Sequence, residues 1–131
     1  MKKDIEIPIV KNVSVAVIHE WNDEYLSRDW NVYIINNQLN PIEMVLVVSK
    51  GFDGNKKTST MRHGIGVVGA KSFEKIEMLQ EDLFALNNEF YVTFFTDDKL
   101  YEKRFLFEKN TVNKSNLSTI DIIEKDGILA N

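Results

Sequence analysis

The sequence predicts an all-β protein, a single-domain antiparallel β-sandwich of about seven or eight strands over residues 1–131. Three observations predict it. Short apolar segments rich in Val, Ile, Phe, Tyr and Trp alternate with a period of two. Clusters of Asn, Asp, Gly and Pro separate them at spacings of about ten residues. The chain is 131 residues long and 44% hydrophobic, enough for a core without metal or disulfide support. An immunoglobulin-like order is one topology that this spacing admits.

The first strand reads from Val13 to Trp21, with Val13, Val15, Val17, His19 and Trp21 on one face. Trp30, Val32 and Ile34 alternate in the second, with Tyr33 and Ile35 opposite. Both tryptophans are expected to anchor the core ends of their strands, with an exposed loop between them. Asn36-Asn37-Gln38-Leu39-Asn40-Pro41 is a turn by its chemistry, because Asn tolerates left-handed backbone and Pro fixes φ. Ile42 to Val48 is almost wholly apolar and predicts a central strand covered on both faces. These three strands are expected to form a meander.

Gly51-Phe52-Asp53-Gly54-Asn55 reads as a loop. Residues 70–88 are ambiguous. Phe73, Ile76, Leu79, Leu83 and Leu86 recur at helical spacing, whereas Ile76 and Met78 alternate with Lys75 and Glu77 as in a strand. With β neighbours on both sides, the favoured reading is a strand, a turn at Gln80-Glu81-Asp82 and an extended segment. Phe90 to Phe95 and Leu100 to Phe107 predict a hairpin, its tip at Thr96-Asp97-Asp98-Lys99. Phe90, Val92 and Phe94 face one way, with Tyr101, Phe105 and Phe107 opposite them. Leu117 to Ile123 reads as the last strand, and Asp126-Gly127 as a final turn.

Composition narrows the function classes. The chain has no cysteine, which removes disulfides, zinc–thiolate sites, iron–sulfur clusters and thiol nucleophiles. Sixteen Lys and Arg against twenty Asp and Glu give a net charge of −4, which disfavours general affinity for nucleic acid. Met1-Lys2-Lys3 is a basic start, but Asp4 and Glu6 follow at once and no signal-peptide core appears. No apolar run reaches about 18 residues, so no membrane partner is expected and a cytoplasmic location is the default.

Gly64-Ile65-Gly66-Val67-Val68-Gly69 matches the G-x-G-x-x-G pattern of dinucleotide-binding turns. That chemistry needs a buried strand directly before the glycines and a helix after them, and Thr58 to His63 is polar. The favoured reading is a bend or a bulged strand, so no cofactor is expected. The two histidines, His19 and His63, show no metal-ligand spacing. Asp23, Glu24, Asp29, Asp97 and Asp98 fit turn duty. No catalytic or metal-ligating residue is assigned.

Two stretches carry binding potential. Trp21, Tyr25, Arg28 and Trp30 lie in one polar stretch and are residue types enriched in interface hot spots. Lys50, Lys56, Lys57, Arg62, His63 and Lys71 make residues 50–71 locally basic, a pattern that can hold a phosphate or an RNA backbone.

Trp21-Asn22-Asp23, Glu43 to Lys50, Lys57-Thr58-Ser59-Thr60 and Leu86 to Phe95 together resemble a family of small uncharacterised bacterial proteins. Its members are often carried under the name phenylalanyl-tRNA synthetase alpha subunit. That name implies a class II synthetase domain. The chain is far shorter than such a domain and contains no arginine-bearing ATP motif, so the resemblance carries over no functional residue. The expectation is a non-enzymatic interaction or structural module that meets another protein, or its own copy, through a sheet edge. The alternative is an RNA- or nucleotide-binding accessory protein using residues 50–71.

Overall fold

The computed structural model describes residues 9–131, so the basic start of the chain lies outside the described residues. Among the described residues ten strands form: β1 (Val13–Asn22), β2 (Ser27–Asn36), β3 (Ile42–Asp53), β4 (Lys56–Lys57), β5 (Met61–Val68), β6 (Ser72–Met78), β7 (Asn87–Thr96), β8 (Lys99–Phe107), β9 (Ser118–Ile120) and β10 (Lys125–Leu129). They pair antiparallel in two sheets. One has the order β6-β2-β1-β10-β9. The other has β3 between β7 and the pair β4 and β5, with β8 beyond β7. With β1, β2 and β6 facing β5, β3, β7 and β8, the order follows strands A, B and E against C′, C, F and G of the immunoglobulin plan. β9 and β10 extend the first sheet beside β1.

Alternation builds the core. Val15, Val17, Val32 and Ile34 from the first sheet meet Val45, Val47, Phe90, Val92, Phe94, Phe105 and Phe107 from the second, all buried in one cluster. Each buried side chain of this size contributes about 1.5–3 kcal/mol by leaving water, and none of these strands is stable without its partner sheet. The opposite face of the first sheet carries a smaller cluster of Ala16, Ile18, Ile35, Ile120 and Ile123.

Five expectations are corrected. The strands number ten among the described residues, because the two-residue β4 leaves no periodic signature and β10 carries the Asp126-Gly127 pair that reads as a turn. The first three strands are not a meander, and the third is not covered on both faces. β1 and β2 pair, but β3 crosses to the other sheet, where it pairs with β5 and β7, buries Val45 and Val47 on its inner face and leaves Leu46 on the outer face 42% exposed. The segment 51–55 is strand to Asp53, and only Gly54-Asn55 turns. The last strand from Leu117 ends at Ile120, and the final turn spans residues 121–124 with Glu124 at φ 61°, so Asp126 and Gly127 lie inside β10.

Residues 70–88 resolve as strand β6, a short 3-10 turn at Glu81–Leu83 and the start of β7. Helix propensity amounts to tenths of a kcal/mol per residue, and pairing along the free edge of β2 outweighs it. The β7–β8 hairpin forms as expected. Its two-residue turn, Asp97-Asp98, has φ of 51° and 60°, as a type I′ turn requires. The glycines at 64 and 66 lie in β5, where Gly66 (φ 87°) stands beside a bulge, and β6 follows instead of a helix.

A charged group is buried at the far face of the first sheet. Glu20 accepts hydrogen bonds from Asn31 Nδ2 (2.8 Å), Tyr33 Oη (2.6 Å) and Lys125 Nζ (2.7 Å), which tie β1 to β2 and β10. Burial alone would raise its carboxyl pKa, but the bonds from Lys125, Tyr33 and Asn31 hold it below the usual range. Burial and the same carboxylate push the Tyr33 hydroxyl up. Asn31 Oδ1 is buried without a partner among the described residues.

Two stability predictions follow from these contacts. A Cβ at Gly127 would stand 2.5 Å from the Val17 carbonyl oxygen and 2.6 Å from Ile18 Cδ1. Gly127→Ala therefore loses about 1–3 kcal/mol by overpacking, measured by denaturant unfolding. Glu20→Gln is expected to lose about 2 kcal/mol at neutral pH. Because the folded-state pKa of Glu20 is depressed, its contribution is present above its unfolded pKa and disappears as pH falls. The variant's stability should accordingly vary less with pH below about 4.5 than the parent's.

Candidate functional site: the β1–β2 hairpin tip

The first sheet projects a hairpin in which Asn22 pairs with Ser27, leaving Asp23 to Leu26 as a four-residue loop. The loop conformation is held by its own side chains. Asn22 Oδ1 accepts the amides of Glu24 (2.9 Å) and Tyr25 (3.4 Å), and Asn22 Nδ2 donates to Asp29 Oδ2 (2.8 Å). Ser27 Oγ donates to Asp29 Oδ1 (3.1 Å), and Trp21 Nε1 donates to Asp23 Oδ1 (2.7 Å). Leu26 closes the loop at φ 49°.

On this frame three large side chains stand in water: Trp21 is 52% exposed, Tyr25 71% and Leu26 73%. Trp21 thus does not anchor the core, because it lies beyond the last covered inward position of β1. Opposite it in register is Arg28, also exposed. Trp30 is the one that anchors. It is 6% exposed, stacks on His19 at 4.2 Å between ring centroids and meets Phe84 edge-on at 5.3 Å. Of the four residues in this stretch, the structure gathers Trp21, Tyr25 and Arg28 at the tip and withdraws Trp30 beneath it.

Burial, then the positive charges of Lys114 and Arg28, depress the His19 pKa against a smaller opposing effect of Glu81. A neutral imidazole is therefore favoured in the folded state, and stacking on Trp30 keeps it in place.

The basic stretch is dispersed. Lys56 and Lys57 are exposed at the β4 edge and Arg62 on β5, and none of the three has an ion-pair partner among the described residues. His63 is turned the other way: its Nε2 lies 2.7 Å from Glu77 Oε1, which also accepts Ser49 Oγ at 2.6 Å. That carboxylate joins β3 and β5 of one sheet to β6 of the other. Lys50 lies 3.9 Å from Glu89, and Lys71 donates to the carbonyl and side-chain oxygens of Asn37 at 3.0 Å.

The sheet edges differ in protection. On β8, Lys99, Glu102, Lys103 and Arg104 are exposed, and Lys103 Nζ lies 4.9 Å from the Phe105 ring centroid. The β5 edge is uncharged from Gly64 to Val68, but the bulge at Gly66 interrupts it.

Sequence reasoning missed the Glu20 and Glu77 networks. Glu20 and Lys125 are 105 positions apart, and no local pattern reports such a pair. No helix among the described residues is long and apolar enough to cross a membrane, and no group of three or more His, Asp or Glu among them is placed to hold a metal ion.

No protein-family model, curated protein or solved structure matches the chain.

The His19 environment makes a pH prediction. A histidine with a depressed folded-state pKa contributes full stability above its unfolded pKa and loses it as pH falls. Melting temperature should fall between about pH 7 and pH 5.5, and His19→Phe, which keeps a stacking ring, should flatten that slope.

Proposed function

We propose that the protein is a non-enzymatic interaction module that binds another protein through the tip of the β1–β2 hairpin. The observation that carries this reading is the exposure of Trp21, Tyr25 and Leu26 on a loop already held by five side-chain hydrogen bonds. Large aromatic side chains contribute most of the binding energy at protein interfaces. A loop ordered before binding loses little further entropy when a partner closes over it. Asp23, Glu24 and Arg28 provide a charged rim that sets orientation more than affinity.

The nucleic-acid alternative loses support from the same geometry. Lys50 lies beside Glu89 and His63 beside Glu77, leaving Lys56, Lys57, Arg62 and Lys71 as a small basic group on an acidic protein. The resemblance to small bacterial proteins with a synthetase name contributes no residue to either reading.

Affinity capture from cell extract, comparing the parent chain with a Trp21→Ser, Tyr25→Ser variant of matched thermal stability, tests the proposal. The expected result is a protein recovered by the parent and reduced roughly thirtyfold or more with the variant, as for the loss of a hot-spot residue. Equal recovery by both chains overturns it.

A further inference from the structure

The opposite end of the β1–β2 hairpin, about 30 Å away along ten-residue strands, has a different surface. A cleft of about 430 Å³ opens there, lined by Pro41, Glu43, Met44, Phe95, Asp97 and Asp98 among others. A second cleft of about 480 Å³ shares Asn40, Thr96 and Asp97 with it and adds the amide side chains of Asn12, Asn37 and Gln38. The two adjoin as one groove across the end of the sandwich.

The chain shapes this surface in two places. β3 carries one residue more than β5 between Ile42 and Val45 and one more than β7 between Glu43 and Leu46, and Met44 is turned outward at the irregularity, 71% exposed. Glu43 stands next to it and pairs with Phe95, whose partner on the other side is Leu100. The Asp97-Asp98 turn closes the far wall. Among the described residues, none of the three carboxylates takes part in an ion pair. Lys71, at the other end of the groove, is held by Asn37.

We propose that this groove binds a basic, partly apolar peptide segment of another protein. Charge complementarity selects the occupant. Three unpaired carboxylates beside an apolar floor suit a lysine or arginine, whose aliphatic stem covers Met44, Phe95 and Pro41 while its head reaches Glu43, Asp97 or Asp98. The amides of Asn37, Gln38 and Asn40 can meet the peptide backbone with either donors or acceptors. An acidic segment would bring like charges together and is excluded. This surface is separate from the hairpin tip, and the proposal stands independently of that one.

The test titrates the full chain with a labelled hexapeptide alternating lysine and leucine, following anisotropy and backbone amide shifts at low and high salt. Controls are the glutamate-for-lysine peptide and spermidine. The expected result is saturable binding that shifts Glu43, Met44, Asp97 and Asp98, weakens with salt, and drops about tenfold or more in a Glu43→Gln, Asp97→Asn, Asp98→Asn variant. Asparagine accepts the left-handed turn conformation as well as aspartate, so the variant keeps its hairpin. The Trp21→Ser, Tyr25→Ser chain should bind as the parent does. Equal affinity for spermidine, shifts centred elsewhere, no effect of the triple variant, or occupation of the groove by a second copy of the chain each overturns the proposal.

Discussion

Everything else in this molecule depends on the contact between the inner faces of its two sheets. Val15, Val17, Val32 and Ile34 form one side, and Val47, Phe90, Val92 and Phe94 form much of the other. Because side chains on a strand alternate strictly, burying this set fixes the register of every paired strand, and a slip of one residue would expose all of them. The same alternation decides which residues leave the core at its ends. His19 and Trp30 are the last inward pair to be covered, with Phe84 closing over Trp30. Trp21 and Arg28, the next inward pair, have nothing above them and so stand in solvent.

The elements legible in the sequence were those whose neighbours along the chain are also neighbours in space. The β7–β8 hairpin is the clearest, with Phe94 stacking on Tyr101 at 5.3 Å across a turn of two aspartates. The inward set of β1 and β2 was equally plain. Partners distant in sequence were not legible. Nothing near Ile42 indicates that β3 leaves the first sheet, and nothing near Asp126 shows that Gly127 must pass tightly beside the Val17 backbone. For the candidate sites, the residue types at the tip were legible but their exposure was not. Trp21 and Trp30 look alike in sequence, and only the length of the covering sheet separates them. The groove was illegible, because its carboxylates come from the start of β3 and the β7–β8 turn, about fifty residues apart.

Charge is distributed by the same logic. Carboxylates that meet strands from more than one place stabilise the fold: Glu20 joins β1, β2 and β10, and Glu77 joins the two sheets through Ser49 and His63. Those at the ends of the strands, Asp23 and Glu24 at one end and Glu43, Asp97 and Asp98 at the other, lie beside exposed apolar side chains. The middle of the sandwich is thus committed to holding the sheets together, and the two proposed binding surfaces lie at its ends.

The central claim is that the hairpin tip meets a protein partner in the cell. Photocrosslinking from a benzoylphenylalanine placed at Tyr25, with Ser118 on the β9 edge as the control position, tests it most directly. The account predicts a discrete protein adduct from position 25 that the control position does not form. No adduct from position 25, or the same adducts from both positions, would contradict it.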